Sequence, residues 1–276
     1  MSGLEQTTQA HYATFGDRLA AALAVAKAKG GSVSPEDLAG FDQLHTGGAE
    51  ATRGVIARLG ARPGMHVLDV GCGLGGPARM LASLSGARVT GIDLTPHFVA
   101  GAQQLTAATG QEALVDFRCG SALALPFADA TFDAAWHIHM SMNVEDKPRM
   151  YAEIFRVLKP GARLCLHDPI RGTQGEVMFP VPWAEQATAS HLRTLQQMLA
   201  HLDDAGFAVL DVADETEEGL AWFAKIAAAT AAASAEVKAR SAAQADPRFA
   251  VMSKNHAANL ASGAVAILAV CAQKPL

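Results

Sequence analysis

The chain has 276 residues, half of them apolar and 18% charged, with a net charge of −5 and a pI near 6.0. That is enough for one α/β domain with additions and a large core. The mild acidic balance and the lack of a basic block argue against nucleic acid as the main partner, and no apolar run reaches the roughly 18 residues of a membrane span.

The first residues, MSGLEQTTQAHY, have no basic start followed by an apolar core, so no signal peptide is expected and a cytoplasmic protein follows. The four cysteines, Cys72, Cys119, Cys165 and Cys271, are far apart and read as buried thiols of a reducing compartment. Neither a disulfide set nor a metal site is expected from their spacing. Tyr12, Phe15, Leu19, Leu23 and Ala26 recur at helical spacing, which predicts one helix over Thr8 to Lys29. Ser34-Pro35 starts a short helical turn. Phe41 to Gly48, FDQLHTGG, reads as a loop, and Glu50 to Leu59 as a helix. Residues 1–62 are therefore read as a helical cap with a substrate loop, lying over the mouth of a sheet.

The stretch Met65 to Leu81, MHVLDVGCGLGGPARML, is the most informative. Val67, Leu68 and Val70 form a short apolar run of strand type; Gly71, Gly73, Gly75 and Gly76 follow at once, and Pro77 suits a helix start. Strand, glycine turn and helix N-terminus make a ligand site, because the backbone can approach closely and offer free N–H groups. Arg88 to Asp93 is a second strand ending in an acid, placed to take two ribose hydroxyls. Gly71, Gly73, Gly76 and Asp93 also satisfy the dinucleotide fingerprint, so an NAD-dependent oxidoreductase is the first alternative. Asp69 beside the turn suits a cationic ligand end better than a pyrophosphate.

Further on, a helix runs from Pro96 to about Ala108, with strands at Leu114 to Arg118, Phe132 to His137 and Arg163 to His167. A helix from Asp146 to Leu158 ends at Lys159-Pro160-Gly161. Strands alternating with helices predict a doubly wound, mostly parallel sheet, with ligands beyond the carboxyl ends of its strands. Gly71, Asp93, Ser121, His137 and Asp168 are all expected there. Pro169 to Trp183 shows no clear period and His191 to Leu202 reads as helical; an inserted helical cover is expected over about 169–203. Gly206 to Val212 is a strand, Thr216 to Ala243 an alanine-rich helix, and Gly263 to Ala272 the last strand.

The ordered set DQLHTGG, VLDVGCGLGGPARML, VTGIDLT, ALALPFAD, MNVEDK and RVLKPGARL resembles the class I S-adenosylmethionine (SAM) methyltransferases. The likeness is nearest the small-molecule branch that includes sarcosine/dimethylglycine, tocopherol, sterol and sugar methyltransferases. It covers roughly Phe41 to Leu166. It implies a Rossmann-like seven-stranded sheet whose seventh strand is antiparallel, with residues 63–276 as the SAM-binding domain. It also implies SAM as cofactor, a small-molecule methyl acceptor as partner, and a monomer or homodimer.

Carried over residue by residue, the resemblance places the amino-acid end of SAM over Gly71, Cys72 and Gly73, its ribose on Asp93 and its adenine on Leu94. The family's Gly-Asp-Ala loop is here Gly120-Ser121-Ala122, so Ser121 offers a hydroxyl in place of a charge. His137 is expected at the methionine part of SAM, and Tyr12 resembles an aromatic that closes the pocket. Where sugar O-methyltransferases of this branch pair a His with an Asp, Asp168 is kept and the His position falls on Asn143. Asn cannot take a proton, which tilts the expectation from O- toward N-methylation, with an acceptor ammonium between Asn143 and Asp168. His139 and His45 are the candidate bases. A non-catalytic SAM-fold binding protein is the second alternative.

Overall fold

The computed structural model describes residues 3–12, 17–29, 33–233 and 247–276. Seven strands form one sheet: β1 (His66–Val70), β2 (Arg88–Asp93), β3 (Val115–Cys119), β4 (Phe132–Ile138), β5 (Leu158–Arg171), β6 (Ala208–Asp214) and β7 (Val265–Gln273). Their order is β3-β2-β1-β4-β5-β7-β6, with β7 antiparallel to both neighbours and the other pairings parallel. This is the expected Rossmann-like α/β sheet.

The central strands are apolar almost continuously because both faces are covered. Leu68 and Val70 of β1 face one layer, with Met150, Tyr151 and Ile154 of α7 (Lys147–Val157) and Met198 and Leu202 of α8 (Leu195–Asp204). Val67 faces the other, with Val55 and Leu59 of α4 (Gly48–Leu59), Leu81 of α5 (Gly76–Ser85) and Val99 of α6 (Pro96–Ala108). Alternation along one strand thus feeds two cores.

The described part of the N-terminal region is helical as α1 (Gly3–Tyr12) and α2 (Asp17–Lys29), so helix begins before Thr8. Phe15 lies outside the described residues. Ser34 opens α3 (Pro35–Asp42) through a capping box with Asp37, so Phe41 and Asp42 end a helix instead of starting a loop. Ala22 of α2, Leu38 of α3 and Phe98 and Leu105 of α6 pack together, which seats the N-terminal helices beside the glycine turn.

Two strands run longer than their sequence suggests. β4 continues to Ile138 and β5 to Arg171, so His137 and Asp168 lie inside strands and not past their ends. Between β5 and α8 the chain has a short 3-10 turn, Ala187–Ala189. After β6 comes α9 (Thr216–Ala232); the rest of the expected alanine-rich helix falls largely outside the described residues. Helix α10 (Pro247–Ala261) was not foreseen. Among the described residues no helix is long and apolar enough to cross a membrane.

The expectation of four unpaired thiols fails for two of them. Cys165 on β5 and Cys271 on β7 are register partners and form a disulfide, while Cys72 and Cys119 are free. Their separation of 106 residues hid the pairing, because only the antiparallel ladder brings them opposite one another.

Candidate active site

A cavity of about 350 Å³ opens at the carboxyl ends of β1, β2 and β4, bounded by Leu4, Glu5, Thr8 and Tyr12 of α1. One end is built around the glycine turn. Gly71 has φ +77°, and a Cβ there would lie 2.2 Å from Cγ of Met140, so only glycine fits. Gly73 has φ +52°, and its N–H donates to Oδ2 of Asp93 at 2.9 Å. Oδ1 of Asp93 accepts from the N–H of Thr95 at 2.8 Å. Asp93 therefore fixes the turn through both of its oxygens. Burial raises its pKa, and the two N–H groups, the Thr95 hydroxyl and His97 oppose that.

Cys72, Leu94, Ser121 and Ala122 line the same end. The Ser121 hydroxyl donates to the Glu5 carboxylate and accepts from the N–H of Leu123. Gln9 of α1 donates to the carbonyl of Leu94. The N-terminal helix is thus tied to two residues expected at the adenine. Asp69 does not line the cavity; it is buried, and burial, with Asp93 nearby, pushes its carboxyl up to about 7.

The other end gathers Tyr12, Asn143, His45 and His139. The Asn143 amide donates to the Tyr12 hydroxyl at 3.1 Å. Nε2 of His45 lies 3.0 Å from the carbonyl of Gly48 and 3.1 Å from the Thr52 hydroxyl, which itself donates to Gln43. A carbonyl only accepts, so Nε2 carries the hydrogen and Nδ1 the lone pair. Burial, with His167 nearby, pushes the His45 pKa down to about 3, so the ring is neutral. His139 has φ +49°, a strained value for a side chain of this size, and its ring stacks on His167 with centroids 5.3 Å apart. Burial and the neighbouring His167, His45 and His256 hold it neutral as well. No group of His, Cys, Asp or Glu among the described residues is arranged to hold a metal ion.

The structure does not bring His137 and Asp168 to the cavity wall. Both side chains are fully buried, with Nδ1 of His137 3.0 Å from Oδ2 of Asp168. Because β4 and β5 extend past them, these side chains sit between the sheet and Tyr151 of α7, not beyond the strand ends. Asp168 accepts the N–H of Met140 at 2.9 Å, which anchors the segment leading to Asn143. Burial pushes the Asp168 carboxyl up, but His137, Ser141 and that N–H more than offset it and hold it low.

Among the described lining residues are five carboxylates, Glu5, Asp42, Asp93, Glu145 and Asp146, and no Lys or Arg. Glu5, Glu145 and Asp146 escaped sequence reasoning, although the last two lie within MNVEDK. Asp42 was visible only as an acid in FDQLHTGG. Its Oδ2 is 2.7 Å from Arg79, both side chains fully buried, and Arg79 also donates to the carbonyl of Leu74. That pair braces the glycine turn from behind.

Residues 68–166 match the family model described as a methyltransferase domain. Methyltransferase GfsG of Streptomyces halstedii is 34% identical over 185 residues, 66% of either chain. O-methyltransferase resE of Aspergillus sclerotiorum is 33% identical over 188 residues, 65% of this chain and 68% of its own. The chain thus spans about two thirds of the length of these relatives. The solved structure of the [4+2]-cyclase SpnF superposes with a TM-score of 0.65 at 28% identity, over 82% of this chain and 80% of that one. Sequence, sheet order and glycine turn agree, and they decide between the two cofactor classes the glycines allowed: the chain belongs to the class I SAM-dependent methyltransferases, with SAM as cofactor.

Proposed function

We propose that this protein transfers the methyl group of SAM to a small neutral or cationic acceptor, with nitrogen favoured over oxygen. The observation that carries the reading is the charge of the cavity: its described lining residues include no Lys or Arg, and while Asp42 is paired with buried Arg79 and Glu5 and Asp93 stand at the glycine-turn end, Glu145 and Asp146 follow Asn143 in the lining. Such a wall repels a phosphate or carboxylate at the acceptor and tolerates an amine. Gly71, Cys72, Gly73, Asp93, Leu94, Ser121 and Ala122 would hold the cofactor. SAM supplies an activated methyl group, so the protein must align the acceptor and exclude water.

In this reading Tyr12 and Asn143 position the acceptor. Neutral His45 can accept a hydrogen bond at Nδ1 without taking the proton, and His139 shapes the wall beside it. His137 and Asp168 act from behind, through the N–H of Met140. Labelled SAM offered to amine, phenol and thiol pools tests this directly. Methylated amine is expected; transfer only to phosphorylated or carboxylated compounds would refute it. A second reading, a SAM-fold protein that transfers no methyl group, draws on Ser121 in place of the family's Asp and on the cyclase that shares this fold. Binding of S-adenosylhomocysteine without transfer to any pool would favour it.

A further inference from the structure

Lys147, the first residue of α7, is only 1% exposed. Its ammonium donates to three carbonyls, those of Ser141, Val144 and His191, each at 2.7 Å. A buried ammonium is costly unless every N–H is used, and three acceptors match its three hydrogens. A neutral amine has only two. Two of the carbonyls belong to the 3-10 turn Ser141–Asn143 and the residue that follows it; the third belongs to the segment before α8. The same junction carries a backbone bond from the N–H of His191 to the carbonyl of Met142, 2.9 Å. Asn143 is thus held between this joint behind it and Tyr12 in front.

We propose that Lys147 is a positioning residue: its buried ammonium locks the Asn143 turn to the segment before α8 and so sets the Asn143–Tyr12 pair against the acceptor. This rests on the reading of Asn143 as acceptor-facing. The charge, and not only the bulk, does the locking, which gives the joint a pH dependence. Burial, with Arg193 beside it, pushes the Lys147 pKa down to about 7 against the pull of Asp168; His191, Glu145 and His201 are the other titratable groups around it. Above that pH one carbonyl loses its hydrogen and the turn loosens.

The test has two arms. Lys147→Met removes the charge at similar length. In the holoenzyme with S-adenosylhomocysteine, amide exchange at Asn143, Val144 and His191 should speed up at least tenfold, with β1 and β4 unchanged. Turnover of the acceptor found in the pool screen should fall by up to about tenfold, no more than loss of the Asn143–Tyr12 bond itself would cost. Asn143→Ala with Lys147→Met should be no worse than Asn143→Ala alone. Unchanged protection of the turn, or full additivity of the two variants, would overturn the proposal. Exchange decides even if no acceptor is found, so it fails separately from the proposed function. Should Lys147→Met not fold, wild-type protein decides: corrected for intrinsic rates, protection at the same three amides should fall above pH 7, and constant protection from pH 6 to 9 would overturn it.

Discussion

The two ends of the cavity are built in different ways. The end proposed for the cofactor comes from one nearly continuous stretch, 65–122, and its groups are mostly backbone: the N–H of Gly73, the turn at Gly71 and a carboxylate pinned by two N–H donors. The end proposed for the acceptor is made of side chains drawn from α1, from residues 43–48 and from the loop after β4, with His167 and His256 packed behind them. A backbone site is fixed once the sheet forms. A side-chain site can be re-specified by changing a few loops.

Substitutions at the cofactor end should break this contrast most sharply. Gly73→Val puts a β-branched residue at positive φ, though its Cβ alone would meet nothing nearer than Leu44 at 3.7 Å. SAM binding should be lost with a near-native circular dichroism spectrum; retained binding would make the turn purely structural. Asp93→Ala should weaken SAM by about 1.5–3 kcal/mol, the range for hydrogen bonds to a charged group. It should also loosen the turn, since Gly73 loses its partner. Unchanged affinity by calorimetry would remove Asp93 from the site.

At the acceptor end single changes should cost less. Tyr12→Phe removes the hydroxyl that accepts from Asn143 and should cost about 0.5–1.5 kcal/mol in acceptor kcat/KM, leaving SAM affinity alone. A larger loss in SAM affinity would move Tyr12 to the cofactor. The smallest expected signal is no change at all. His45 should stay neutral with hydrogen on Nε2 from pH 8 down to about 4, read by nitrogen-15 chemical shifts, because its pKa is pushed down to about 3. A folded-state pKa below the unfolded one means the associated stability is complete above about 6.5 and is lost as pH falls toward 3. Protonation near 6.5 would contradict the packing around it.

The same contrast explains what the sequence revealed. β2, the span of α6 and the glycine turn were legible because local periodicity and positive-φ glycines determine them. Asp93 and Gly71 were legible for the same reason. His137 and Asp168 were misplaced because strand length depends on pairing partners: β7 lies along β5 up to Arg171, and nothing in Pro169-Ile170-Arg171 alone says so. The Cys165–Cys271 disulfide, the Asp42–Arg79 brace and the three carbonyls around Lys147 all join distant segments. Such contacts exist only once the fold has brought their strands and loops together.

The central claim is that the acceptor, and not a titrating histidine, sets the proton chemistry of this site. The pH dependence of kcat/KM with two acceptors of well-separated pKa tests it most directly. The account predicts a rise that follows each acceptor's own pKa and moves when the acceptor is changed. A rise fixed near 6.5, roughly the unperturbed imidazole value, shared by both acceptors and abolished by His45→Gln or His139→Gln, would contradict it.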